Sequence, residues 1–276
     1  PETMPKIQIS YQKNQIWANR DKLRSLLLKL GFAETINYSF IPGSTMETLG
    51  IKESDIIYSD VTLQNPISQA YSLMRPTMIY SLLNCLAYNY SVKNSDIALF
   101  ELGRTYFKDK SLDTGCKELG TCGFIMTGVK SPKGWGQAKD IKYDFYDLLS
   151  YLDVIMDNFG QKFTLEKADY KFCKEKTAYE IVVNGEKIGF IGQVNKQKFE
   201  PLVRNVKLIR DEIFYCEIRF DSLISVDKKL KFESKYPPVK RFYNLLHSKD
   251  VSSKEISDAI MASSEVVRSA EVKDVY

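Results

Sequence analysis

His247 is the single histidine in the 276 residues, so any Ser-His-Asp or Cys-His catalysis would have to use it. It closes an apolar run, Phe242 to His247, with no base-orienting neighbour. A structural or exposed histidine fits that setting better, which argues against a hydrolase. The five cysteines (Cys85, Cys116, Cys122, Cys173, Cys216) are odd in number and scattered, with no CxxC among them. A disulfide framework and a structural zinc site are therefore disfavoured, and Cys116 and Cys122 read as ordinary thiols rather than a metal pair. Asp144 and Asp147 stand three apart at the start of a helical pattern, where carboxylates cap the amide end rather than act as acid and base. The Ser131-Pro132-Lys133-Gly134 loop lacks the GxxxxGK[ST] spacing of a phosphate loop and reads as a surface turn. From residue types alone, no catalytic set and no metal-ligating set is assigned.

Composition sets similar limits. Hydrophobic residues at 44% and charged residues at 27% describe an ordinary soluble globular chain. Its 39 basic and 35 acidic residues give a net charge of +4, mixed along the sequence rather than blocked. That permits nucleic-acid contact without arguing for it. No signal peptide or membrane-spanning run stands out, and a reducing, cytoplasmic setting is expected.

The elements that would position any site centre on residues 61–107. Arg75-Pro76 is expected to open a helix, since proline fits a first turn. Ile79, Leu82, Leu83, Leu86 and Tyr90 then fall on one helical face. A polar turn, Lys93 to Asp96, leads into a strand over Ile97–Leu102, ended by Gly103, with Glu101 and Arg104 at its end. Before this stretch, a helix is expected over Asn19–Leu30, striped by Leu23, Leu26, Leu27 and Leu30 and capped by Gly31. A strand is expected over Phe32–Phe40, then a loop with one helical turn at Thr45–Leu49, then a short strand at Val61–Leu63. After it come a polar loop to Gly120 and a buried strand at Thr121–Gly128. Tyr143–Phe159 reads as a helix capped by Gly160. Asn184-Gly185 reads as the type I′ turn of a hairpin. Ile213–Phe220 alternates, with Phe214, Cys216, Ile218 and Phe220 expected inward. A Lys-rich linker, a strand at 239–247 and a helix at about 252–268 close the chain. The mixture is α+β.

Composite motifs go further than periodicity. NPIS followed by LMRPT, YSLLNCLAYN and then IALFELGRTYF resembles the beta chain of bacterial phenylalanyl-tRNA synthetase, in which an Asn-Pro and a Leu-Arg-Pro/Thr start a helix and a Phe-Glu-x-Gly-Arg strand follows. YDFYDLLSYLDVIMDNFG with the upstream Trp135, and Ile188-Gly189-Phe190-Ile191-Gly192, are similar to further patterns of that family. The family's His-Pro-Gly-Arg-Ser is replaced by Phe172 to Thr177, FCKEKT. The helix, Gly31-Phe32 and the strand match the layout of the first motif of class II aminoacyl-tRNA synthetases, whose helix builds a subunit interface.

The resemblance implies a class II synthetase-like antiparallel sheet flanked by helices (6–226). It also implies a lead-in from a preceding small domain (1–5), a linker (227–237) and half of a ferredoxin-like tRNA-binding domain (238–276). In a catalytic class II domain, one arginine follows the second-motif strand and another opens a helix after a Gly-rich third-motif strand; together they hold phosphates. Phe107 stands at the first position. The third-motif region, IFYCEIRFDSL, has no Gly-x-Gly, and Asp221-Ser222-Leu223 follow it without an arginine. The expectation is a synthetase fold without catalytic or metal-binding residues. Arg75, Glu101 and Arg104 would mark the old ligand pocket, as an ion pair or loop anchor in preference to a ligand site. Leu23, Leu26, Leu27 and Leu30 would face the alpha chain of an (αβ)2 ligase, and Lys240 and Arg241 would contact tRNA(Phe). That whole enzyme uses ATP, Mg2+ and phenylalanine, with no cofactor expected in this piece and no membrane partner. Two rivals remain: a stand-alone paralogue binding an amino acid or adenylate, and a plain tRNA-binding module.

Overall fold

Asn14 is the first residue described in a computed structural model, which describes residues 14–223, 236–248, 251 and 253–274. The lead-in (1–5) and the Lys-rich linker lie outside the described residues, apart from Tyr236 and Pro237. In chain order the elements are α1 (Gln15–Lys29), β1 (Ala33–Glu34), β2 (Phe40–Ile41), α2 (Thr45–Leu49), β3 (Leu73–Met74), α3 (Ile79–Ser91), β4 (Ile97–Lys108) and β5 (Cys116–Thr127). They continue with β6 (Val129–Ser131), β7 (Ile141–Lys142), α4 (Phe145–Phe159), β8 (Thr164–Lys167), β9 (Tyr179–Val183), β10 (Glu186–Gln193), α5 (Lys196–Phe199), β11 (Ile213–Arg219) and α6 (Ser253–Ala262).

Seven strands form one sheet in the order β1-β4-β5-β11-β10-β9-β8. Every pairing in it is antiparallel except β1 with β4. The sheet is covered on both sides, so its central strands are buried throughout rather than alternately. One face (the back) packs Phe100, Leu102, Phe124, Cys216 and Ile218 against α1 and α4. The other (the front) packs Leu99, Ile125, Phe190 and Tyr215 against α3 and an aromatic group that includes Tyr170, Phe172 and Phe199. The expected one-sided reading of β11 is therefore corrected: Ile213, Tyr215 and Glu217 are as buried as Phe214, Cys216 and Ile218.

Local chemistry explains the boundaries. Asp144 caps α4 through the Asp147 N–H, and the Asp147 carboxylate accepts in return from the Asp144 N–H, a capping box. Gly160 ends that helix at φ 66°. Asn184 and Gly185 take φ 51° and 82°, the two positive values that a type I′ turn requires. Four expectations are corrected. The predicted strand over Phe32–Phe40 is only β1 and β2, with residues 35–39 leaving the ladder. Gly103 does not end β4, which runs on to Lys108 and turns back as β5 from Cys116, so the polar loop is only residues 109–115. Pro76 does not open α3, which starts three residues later at Ile79. Residues 236–248 form no strand, and the last helix spans Ser253–Ala262.

The chain divides into two units, residues 1–228 and 229–276. In the second, α6 is tied to the following segment by Ser257, whose hydroxyl donates to the Ala270 carbonyl at 3.3 Å.

Candidate functional site

Arg75 and Glu101 meet in the protein interior. The Arg75 Nη2 lies 2.8 Å from Glu101 Oε1, and both side chains are at most 4% exposed. Arg75 Nε donates to the Arg104 carbonyl at 3.0 Å and Nη1 to the Tyr38 carbonyl at 3.4 Å. Glu101 accepts from the Asn37 backbone N–H at 3.3 Å and from Asn37 Nδ2 at 2.8 Å. The pair thus fastens residues 37–39 to β4, and the Arg75 N–H adds a bond to the Ser39 carbonyl at 2.9 Å.

Arg104 does not join this pair through its side chain. Successive strand residues alternate between faces, so Glu101 and Arg104, three apart, point opposite ways. The Arg104 side chain is 44% exposed and reaches Asp221 at 3.5 Å. Asp221 also accepts from the Gly120 N–H at 2.5 Å. Gly103, two residues after Glu101 and on its face, gives the pair its room. A Cβ there would overlap Arg75 Nη2 and lie 3.0 Å from Met78 Cε.

A second buried carboxylate lies two strands away. Glu101 and Glu217 both sit opposite Gly123, one from β4 and one from β11. Glu217 Oε2 accepts from the Thr77 hydroxyl and the Met78 N–H, each at 2.8 Å, and from the Tyr215 hydroxyl. Met78 caps α3, so this carboxylate also faces the positive end of that helix. Burial pushes the Glu217 carboxyl above its ordinary value, while those three donors pull it back down in part. The Tyr215 hydroxyl is pushed up strongly by burial and by Glu217. These bonds hold residues 77–78 before the helix begins, which is why Pro76 is not its first turn.

Arg219 ends β11 on the same face. It donates to the Ile56 carbonyl at 2.7 Å, and its guanidinium lies 5.1 Å from the centre of the Phe107 ring. Burial lowers its pKa from the usual arginine value. Phe107, at the position where the resemblance expects an arginine, is therefore a stacking surface for another arginine.

The remaining predicted residues fall as follows. Leu23 and Leu27 are fully buried in the chain's own back core, and Leu26 and Leu30 pack against its edge. The exposed apolar residues of α1 are Ile16, Trp17 and Leu28. Lys240 and Arg241 are exposed, in the second unit. His247 is exposed and outside any strand, with Nδ1 2.8 Å from the Ser248 carbonyl. Sequence reasoning missed Asn37, Thr77, Gly103, Tyr215 and Glu217. The available signal was Glu217 itself, a carboxylate amid the apolar run Ile213–Ile218.

With this geometry in place, comparison with known proteins is direct. A family model described as the phenylalanyl tRNA synthetase beta chain CLM domain matches residues 1–220. The phenylalanine–tRNA ligase beta subunit of Fusobacterium nucleatum is 28% identical over 264 residues, covering 92% of this chain and 31% of that protein. That of Geobacter metallireducens is 28% identical over 267 residues, covering 94% and 32%. The chain spans about a third of the length of these curated relatives. Among solved structures, the pyrrolysyl-tRNA synthetase of Desulfitobacterium hafniense superposes with a TM-score of 0.53 at 14% identity, over 75% of this chain and 67% of that one. That likeness places the sheet and its helices in the class II synthetase fold.

Proposed function

Because the chain belongs to the family of phenylalanyl-tRNA synthetase beta chains, we propose that it is a catalytically silent docking portion of the beta subunit of a phenylalanine–tRNA ligase. It would support an alpha subunit, in an (αβ)2 assembly, in the ATP-dependent charging of tRNA(Phe) in the cytoplasm. Lys240 and Arg241, both exposed, are the proposed tRNA contacts of a second, ferredoxin-like unit. Among the described residues no helix is long and apolar enough to cross a membrane.

One observation carries the reading. Among the described residues, the two arginines of the front face are already committed. Arg75 is matched by Glu101, and Arg219 is spent on a carbonyl and the Phe107 ring. A phosphate clamp needs guanidinium groups free to fork onto phosphate oxygens, and a phenyl ring offers no such donor. These residues do not fit Mg2+-ATP, so nucleotide chemistry is assigned to the partner chain.

Phenylalanine-dependent ATP–pyrophosphate exchange, measured for this chain, for its alpha chain and for the pair, tests the reading. Exchange and tRNA charging are expected only when alpha is present. Exchange by this chain alone would overturn the reading in favour of a stand-alone paralogue.

A further inference from the structure

Residues 174–177 make a tight turn just after Phe172 of the front core. The Thr177 N–H bonds to the Lys174 carbonyl at 3.2 Å, and Lys176 takes φ 62°. A positive φ at the third place alone is the type II pattern, in which glycine is favoured there. The Pro-Gly of the family's His-Pro-Gly-Arg-Ser suits such a turn, whereas this chain has Glu175-Lys176. For a residue with a side chain the left-handed conformation is strained, and strain of this kind collects where a side chain is in use. Lys176 lines a recess of about 240 Å³ together with Lys171, Lys174 and Lys198, and with Asp169 and Glu175.

The four ammonium groups are not equivalent. Lys174 is spent on Glu212, with Nζ 2.7 Å from both carboxylate oxygens. Lys171, Lys176 and Lys198 are exposed, and their side chains have no partner among the described residues. The Lys171 stem is held against Gly50, where a Cβ would come 2.8 Å from its Cδ. Asp169 and Glu175 offset part of the charge, so the surplus comes from the surroundings. Arg204, Lys207 and Arg210 are exposed in the segment that follows Lys198, against one acid, Glu200. Main-chain bonds join the turn to this segment, from the Asn195 N–H to the Phe172 carbonyl and from the Lys174 N–H to the Gln193 carbonyl, each at 2.8 Å.

Lysine serves phosphate as a point charge on a flexible stem, without the fixed fork that arginine needs. Pockets for whole small molecules start at ~300 Å³, so this recess has room for a phosphate group and not for a complete nucleotide. A phosphate carried on a polymer fits both the small recess and the basic ground beside it. We propose that the recess holds a phosphate of an RNA backbone through Lys171, Lys176 and Lys198, and that Lys176 keeps its strained turn to reach it. The contact is separate from Lys240 and Arg241, which belong to the other unit. Taking tRNA as that RNA rests on the ligase reading above.

The test uses the full-length beta chain paired with its alpha chain, and titrates tRNA(Phe) at several salt concentrations. Lys176→Gly relieves the left-handed strain and removes one ammonium group, and Lys198→Ala removes another from an exposed helical position. Each variant is expected to keep the wild-type circular dichroism, with Tm held or raised in Lys176→Gly. Each should bind tRNA about fivefold more weakly and lower the slope of log K against log salt by about 1. Lys110→Ala, an exposed lysine of the 109–115 loop, is the control and should change neither. Unchanged affinity and slope in both variants, or an equal loss with Lys110→Ala, overturns the proposal while leaving the ligase reading intact. Binding of inorganic pyrophosphate that Lys176→Gly abolishes, with tRNA binding untouched, assigns the recess to a free phosphate compound and overturns the proposal. Absence of tRNA binding by the wild-type pair defeats the ligase reading itself, and the proposal with it.

Discussion

Glu101→Gln should be among the costliest single-atom changes available in this protein. The substitution keeps the side-chain volume and removes one charge. It leaves the Arg75 guanidinium at 2% exposure with neutral acceptors alone, the Arg104 and Tyr38 carbonyls and an amide oxygen. A glutamine oxygen in the Oε1 place can still accept from Arg75 and the Asn37 N–H, but the amide nitrogen in the Oε2 place then faces Asn37 Nδ2, a second donor. Stranding one member of a buried pair costs about 3–5 kcal/mol. For a unit of this size about 4 kcal/mol lowers Tm by roughly 8–16 °C. Arg75→Met should cost a similar amount by stranding the carboxylate.

The double variant separates the pair from its surroundings. Arg75→Met/Glu101→Gln should cost less than the sum of the singles, with a coupling of about 2–3 kcal/mol. It should still fall short of wild type, because Asn37 and the Tyr38 and Ser39 carbonyls lose their anchors. Urea unfolding followed by far-ultraviolet circular dichroism is the suitable assay, since Trp17 and Trp135 are both more than half exposed and report poorly on the core. A cost below about 1 kcal/mol for Glu101→Gln, or strict additivity, would refute the reasoning, because the magnitude rests on complete desolvation of the pair.

Three further outcomes follow from neighbouring contacts. Gly103→Ala, which pushes a methyl into Arg75 Nη2, should destabilise by about 1–3 kcal/mol in the same urea assay, whereas Gly134→Ala, where a Cβ meets only the Pro132 carbonyl at an ordinary 3.9 Å, should be near neutral. Glu217 has a folded-state pKa raised above 4.5 by burial. The native state therefore binds the extra proton in the window from about 4.5 up to that raised value, and wild type should lose stability relative to Glu217→Gln as pH rises through it; a pH-independent difference between the two would contradict this. Among the thiols, Cys122 and Cys216 are pushed far up by burial, and Cys173 up to about 12. Native-state labelling with a thiol reagent should accordingly modify Cys85 and Cys116, both partly exposed, well before the other three, as read by mass spectrometry.

Sequence pattern alone located the long elements, and the reasons are visible in particular residues. The α3 face, the α4 capping box and the Asn184-Gly185 turn each depend on interactions within a dozen residues, which spacing records. The site depends on pairs far apart in the chain: Arg75 with Glu101, Asn37 with Glu101, Thr77 with Glu217. No local pattern encodes such partners. The error over Arg104 was avoidable, because strand alternation already separates it from Glu101. The error over Gly103 was not: glycine inside a strand reads equally as an end, a bulge or a close approach, and only the position of Arg75 selects the last. The strand expected over Phe32–Phe40 failed for a related reason. Its alternating pattern is real, but the apolar residues Ile36 and Tyr38, two apart, point to solvent and not into this chain's core.

The filled front face supplies an energetic argument for the docking reading. Tyr170, Phe172, Phe190, Phe199 and Tyr215 interlock over the sheet, with ring centroids 5.1 to 6.3 Å apart, and none is more than 5% exposed. A nucleotide or an aminoacyl group admitted among these rings would displace them, and the displacement of two serves as the example. Each buries roughly 150–250 Å², worth about 4–6 kcal/mol at ~25 cal/mol per Å², so two cost about 10 kcal/mol. A micromolar ligand brings only about 8 kcal/mol. Even a ligand with that intrinsic affinity would bind the opened face more weakly than millimolar. Evolution toward ligand binding would have to undo the packing that holds α3 and β11 together. Presenting a rigid outer surface costs nothing of the kind, since it draws on the same packing for its stiffness.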